Sequence, residues 1–183
     1  MLSDGVLGLR PIERADLPFL RDLANDPGVR GNVVGWDWPL SISGQERWFE
    51  QGTDSDQVRR FLIEREGDGP VGVTGLWDID WRNRSAMSAI KLGGAQDVRG
   101  QGYGSRAIRL MTDFAFNDAG LHRLYAQILS FNEASLGLYR DKCGWTVEGT
   151  SRQHVWRGDR YWDLVQVGIL RDEYLAQLEE SSE

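Results

Sequence analysis

The sequence predicts an α/β chain of the α+β kind, with about seven strands and about four helices in one domain. Three observations carry this reading. β-type runs between Val58 and Leu92 are separated by turn-forming clusters, as in an antiparallel meander. Helical periodicity interrupts the strand pattern, giving the order β-α-α-β-β-β-α-β-α-β-β. A length of 183 residues, with 40% hydrophobic and 27% charged, is a globular composition that can bury a sizeable core.

Val6 to Ile12 reads as a short strand. Glu13-Arg14-Ala15-Asp16 then opens a helix whose Leu17, Leu20 and Leu23 share a face, and Pro27-Gly28 is expected to stop it. Val29 to Leu40 has no clear period. Ser43-Gly44-Gln45-Glu46 is a capping-box pattern ahead of Trp48-Phe49 and predicts a second helix. Val58 to Glu64, Val71 to Trp81 and Ser85 to Leu92 form the meander, turning at Gly67-Asp68-Gly69-Pro70 and Trp81-Arg82-Asn83-Arg84. Gly102 to Asp118 is helical, with Ile108, Met111 and Ala115 on one stripe and Gly120 placed to end it. Leu124 to Leu129 is a buried strand. Asn132 to Lys142 is a helix with an Asn N-cap and Gly144 just past its end, and Val147 to Trp156 with Tyr161 to Leu170 closes the chain as a hairpin. Residues 1–175 are read as one domain and 176–183 as an acidic tail, with the chain expected to fray from Arg171 onward.

A formal net charge of −7 argues against direct nucleic-acid binding, since phosphate neutralisation needs the opposite sign, and it suits a cationic partner better. The lone Cys143 cannot form an intrachain disulfide and has no Cys/His cluster around it, so no metal site and a reducing cytoplasm are expected. There is neither a basic-then-apolar leader nor a run of ~18 apolar residues, so no export or membrane association is expected. Of eight tryptophans, Trp36, Trp38 and Trp48 cluster early, where core packing is the ordinary role and pocket lining the alternative. His122 and His154 read as structural or surface residues.

The stretch from Ile90 to Ser105 runs strand, loop, helix N-terminus. Gly100, Gly102 and Gly104 let the backbone approach a diphosphate, unpaired N–H groups and the helix dipole point at it, and Arg99 adds a full charge. A tight turn that binds nothing needs the same glycines. A dinucleotide fingerprint does not fit, because G-x-G-x-x-G needs a parallel βαβ unit and the preceding strands form a meander. No Gly-Lys-Ser/Thr follows, which removes a P-loop.

Arg99-Gly100-Gln101-Gly102-Tyr103-Gly104 resembles the Arg/Gln-x-x-Gly-x-Gly/Ala loop of the GNAT N-acetyltransferases. Asn132-Glu133-Ala134-Ser135-Leu136-Gly137-Leu138-Tyr139, with Cys143-Gly144-Trp145 after it, resembles the family's second segment, Trp145 standing for the usual Phe. The ending, Val147-Glu148-Gly149 and Arg157 to Asp163, is similar to the RimJ/RimL-like branch, which includes ribosomal-protein N-terminal acetylases and spermidine N-acetyltransferases. The resemblance spans roughly Val6 to Leu175. It implies the GNAT fold, a mixed, mostly antiparallel central sheet, and acetyl-CoA as cosubstrate. Backbone groups of Ile90, Lys91 and Leu92 would pair with the pantetheine arm, Arg99, Gly100, Gln101, Gly102, Tyr103, Gly104 and Ser105 would hold the diphosphate, and Asn132 would face the pantetheine.

The implied reaction moves an acetyl group from the CoA thioester directly to a primary amine, with Tyr139 protonating the leaving thiolate. The acceptor stays open between a small amine, such as a polyamine or an antibiotic, and a protein N-terminus; a homodimer also stays open. Ser85 to Leu92 carries no carboxylate to act as base, so waters held by Ser88, Ser130 or backbone carbonyls are the alternative. Asp37 and Glu46 lie in the N-terminal region that forms the acceptor pocket in this family, and solvated surface charge is their other reading. By spacing alone Tyr139 is a core tyrosine, Asn132 an N-cap, and Cys143 an inert buried thiol. Two further functions stay in view: an acyl-CoA-sensing module without turnover, and a transferase for a longer acyl group.

Overall fold

The computed structural model describes residues 2–52, 54–93 and 100–180. In chain order these form β1 (Leu2–Ser3), β2 (Leu7–Pro11), α1 (Leu17–Asn25), α2 (Pro27–Arg30), α3 (Ile42–Glu50), β3 (Asp54–Ser55), β4 (Val58–Arg65), β5 (Gly69–Asp80) and β6 (Ser85–Leu92). Then come α4 (Tyr103–Asp113), β7 (Arg123–Leu129), α5 (Glu133–Gly137), β8 (Thr146–Arg157), β9 (Arg160–Leu170) and α6 (Arg171–Glu180).

One sheet carries everything, in the order β1-β2-β4-β5-β6-β7-β9-β8, with β3 paired to β4. β1 and β3 have two residues each, so seven strands are five residues or longer, as the sequence predicts. Every pairing is antiparallel except β6 with β7, which the crossover through α4 makes parallel. Both faces are covered. Leu17, Leu20 and Leu23 of α1 pack with Val29, Leu62 and Val73 on one face. On the other, Ala107, Ile108 and Met111 of α4 join Leu76, Ala86, Leu124 and Val167 in the larger core.

The first helix ends at Asn25, ahead of Pro27-Gly28 as expected, and Pro27, with its ring-fixed φ, then opens the short α2, where Asp26 caps the turn by accepting from the Gly28 N–H at 2.7 Å. Three local expectations need correction. α3 begins at Ile42 because Ser41, not Ser43, is its N-cap, accepting from the Gly44 N–H at 3.0 Å. The segment after Leu170 does not fray as far as residue 180. It forms α6, whose buried Tyr174 donates its hydroxyl to Asp113 at 3.0 Å while Gln177 donates to the Gly144 carbonyl at 3.1 Å. Finally, the two helices flanking β7 each finish in a five-residue π turn, Phe114–Asp118 and Leu138–Lys142. Tyr139 therefore sits in a widened turn rather than two regular turns into a helix.

Candidate active site

β6 and β7 pair at only three positions, ending at Met87↔Tyr125. Beyond that point β6 stays bonded to β5 out to Leu92, and β7 stays bonded to β9 out to Leu129. The two strands part, so from Ser88 onward the β7-facing edge of β6 has no strand partner among the described residues. A cavity of about 1280 Å³ fills the opening. Its walls include Ile90, Lys91 and Leu92 from β6, Gln127 from β7, and Asn132 with Tyr139 from the segment after β7.

The N-terminus of α4 closes one end of this cavity. Gly102 is its N-cap at φ 76°, and Gly100 has φ 75°, backbone settings that side chains resist. Its N-cap is a glycine and offers no side-chain cap, which leaves the first-turn N–H groups of α4 without a partner from the N-cap side chain. Gly100, Gly102, Tyr103, Gly104 and Ser105 line the cavity, while Gln101 is exposed and does not. Arg99 lies outside the described residues. The Ser105 hydroxyl is turned back onto the Gly102 carbonyl at 2.9 Å. Gly104 has a separate reason: a Cβ there would fall 2.8 Å from Leu138 Cδ2, so any side chain would have to displace that of Leu138 from the gap between α4 and the π turn.

Asn132 does cap α5, accepting from the Ser135 N–H at 3.1 Å, and it lines the cavity as well. Tyr139 is 2% exposed, stands edge-on to Trp145 with ring centroids 4.9 Å apart, and lines the cavity together with Ile90. Burial, reinforced by the neighbouring Cys143, holds its phenol protonated well above the usual range. Cys143 is buried and its thiol is pushed up to about 11 by desolvation, which keeps it un-ionised and unreactive.

A second cavity, of about 390 Å³, lies on the α1 and α3 side of β5 and β6. Trp36, Trp38, Trp48 and Trp77 wall it with Arg60 and Lys91, and Trp36, Trp77 and Lys91 also border the larger cavity. The Lys91 ammonium lies 4.6 Å from the Trp77 ring centre and 5.2 Å from that of Trp36. Asp37 lines this smaller cavity, but its carboxylate is taken by Arg157 at 3.2 Å. Glu46 is exposed on α3 and lines neither cavity. Arg157, which the sequence gives only as part of the branch-like ending, also donates to the carbonyls of Arg30 and Val33, both at 3.0 Å, and so ties the β8–β9 hairpin to the 30–37 segment.

An opened parallel seam with glycine-bound amides at one end and a protonated tyrosine on its wall is a place for an extended anionic thioester. In comparison with known proteins, the acetyltransferase (GNAT) domain family matches residues 7–146. The chain is a GNAT acetyltransferase. It is 28% identical over 174 residues to spermidine N(1)-acetyltransferase of Vibrio cholerae, covering 94% of this chain and 98% of that protein. It is 27% identical to the Escherichia coli enzyme of the same name, covering 92% of this chain and 88% of that one. The solved Vibrio cholerae spermidine N-acetyltransferase with CoA and spermine superposes with a TM-score of 0.85 at 28% identity, over 94% of this chain and 99% of that one. The GNAT chain described here is thus an acetyl-CoA-dependent N-acetyltransferase acting on a primary amine. No helix among the described residues is long and apolar enough to cross a membrane.

Proposed function

We propose that acetyl-CoA lies in the opened seam between β6 and β7 with its diphosphate at the start of α4, and that a small primary amine meets the thioester from the tryptophan-walled cavity. The observation that carries this reading is the end of strand pairing at Met87↔Tyr125 with Tyr139 and Ile90 on the wall of the cavity beyond it. The unpaired edge of β6 offers backbone groups to the amides of the pantetheine arm. Trp36, Trp77 and Lys91, common to both cavities, mark where acceptor and donor meet. A cavity of about 390 Å³ suits a small molecule better than a protein N-terminus.

An alkylamine with a pKa near ~10.4 is neutral in only about one molecule per thousand at pH 7, so the ammonium first gives up a proton to water. The free amine attacks the carbonyl carbon, and backbone N–H groups of the unpaired β6 edge stabilise the oxyanion. As the C–S bond breaks, the departing sulfur takes the Tyr139 proton, which burial has kept in place. The nitrogen, now bonded to the acetyl carbon, loses its surplus proton to water, and the phenolate is reprotonated from solvent.

Tyr139→Phe tests the assignment because it removes one oxygen and keeps the ring against Trp145. The expected result is a fall in kcat of roughly 10²–10⁴-fold with acetyl-CoA affinity nearly unchanged. A kcat equal to wild type with about 1 kcal/mol of lost stability would make Tyr139 a core residue only.

A further inference from the structure

We infer that the acceptor is an amine that also carries a carboxylate on an apolar, ring-sized body, held by Arg60 and Lys91 in the tryptophan-walled cavity. This rests on the reading that the cavity is the acceptor site, and it names the chemistry of what enters.

The cavity is built from strand register. Arg60 on β4 pairs with Gly75 on β5, which pairs with Ala89 on β6; in the next row on the same face Leu62 pairs with Val73 and Val73 with Lys91. Two long cations thus rise from neighbouring rows, with glycine and alanine leaving room between them. Trp48 stacks on Arg60 at 5.0 Å, and Trp36 and Trp77 flank Lys91. Leu20, Ala24, Leu40 and Val73 complete an apolar wall. The polar exceptions are Gln45, which is buried, and Asp37, whose carboxylate is already paired with Arg157.

Charge then decides between acceptors. Among the described residues, Arg60 donates one hydrogen bond to the Gly52 carbonyl at 3.1 Å, and no carboxylate pairs with Arg60 or with Lys91. Of the described residues bordering either cavity, only Asp37 and Glu133 carry carboxyl groups, and Glu133 stands at the exposed start of α5. Burial and the charge of Arg60 both disfavour the Lys91 ammonium, and among the described residues the pair has no counter-anion. A carboxylate between them supplies one, with charge-assisted hydrogen bonds. A polyamine brings further ammonium groups into a space where two cations already repel each other, so this cavity is unlike one made for spermidine.

The test compares thiol release from acetyl-CoA with L-phenylalanine, phenethylamine and spermidine. Phenethylamine is phenylalanine without its carboxylate. We expect kcat/KM for phenylalanine to exceed that for phenethylamine about tenfold or more, with spermidine the poorest of the three. Because the two aromatic amines also differ in basicity, the variants decide: the phenylalanine-to-phenethylamine ratio should fall toward one in Arg60→Gln and in Lys91→Gln, through KM rather than kcat, and Arg60→Lys should restore part of it. Spermidine as the best acceptor, or a ratio unmoved in both variants, would overturn the inference. Thiol release with none of the three would overturn it too, and an acetyl-CoA titration followed by tryptophan fluorescence then shows whether the cofactor seat has failed with it.

Discussion

Gly102 and Gly104 are two residues apart in one motif, yet they are glycine for unrelated reasons. At Gly102 an added Cβ meets nothing nearer than 4.0 Å, and the constraint is the positive φ and the open path to the helix amides. At Gly104 the constraint is Leu138. Gly102→Val is therefore expected to weaken acetyl-CoA binding more than tenfold with a modest loss of stability, whereas Gly104→Ala should lower the melting temperature first. Calorimetric titration and thermal melts on both variants check this, and equal behaviour would refute it. Lys91 is a second residue with a measurable signature. Burial, helped by Arg60, lowers its ammonium to about 8 from the ordinary value, so between about pH 8 and that value the unfolded chain binds more protons than the native one. The burial cost is in full force below pH 8 and is relieved as pH rises. Lys91→Met should accordingly stabilise the fold at pH 7 and gain progressively less toward pH 10, and a gain independent of pH would contradict this. The same titration removes the cation, so KM for a carboxylate-bearing acceptor should climb above pH 8. Gly100, Gly102, Asn132 and Tyr139 were legible because the motif is local in sequence. The side chains of Arg60, Trp77 and Lys91 were not, since only cross-strand register brings three separate strands' residues to one cavity.

At the scale of elements, each of the seven longer strands and the helix after the glycine loop could be read from period and punctuation. The failures share a cause. The final helix has no strong apolar stripe of its own, and it is Tyr174 reaching Asp113 that docks it, a contact no local pattern announces. The π turns also leave no periodic mark. Arg157 links elements that the sequence separates by over a hundred positions, and its three acceptors all lie in the segment beside the small cavity. Arg157→Ala should free that segment. We expect KM for the acceptor amine to rise severalfold while KM for acetyl-CoA stays within twofold, as steady-state kinetics with each substrate varied can show; a larger change for acetyl-CoA would mean that the hairpin supports the seam instead.

Across the whole molecule, total charge and the charge inside the small cavity have opposite signs. A formal charge of −7 favours cationic partners at long range, yet the cavity nearest β5 and β6 presents Arg60 and Lys91. Salt weakens the field of the total charge beyond about a nanometre, whereas Arg60 and Lys91 act at contact.

The parted seam has a consequence for cooperativity. Three residue pairs join the sheet from β1 through β6 to the sheet of β7, β9 and β8, while seven join β7 to β9. Such a junction is where two halves of a domain open independently, and amide exchange divides along it. A thioester bridging both strands would act as a rivet. Hydrogen exchange should then resolve two blocks in the free protein and a single, slower one with acetyl-CoA bound, with the largest slowing at Ser88 to Leu92; protection confined to the start of α4 would show that the ligand grips one half alone.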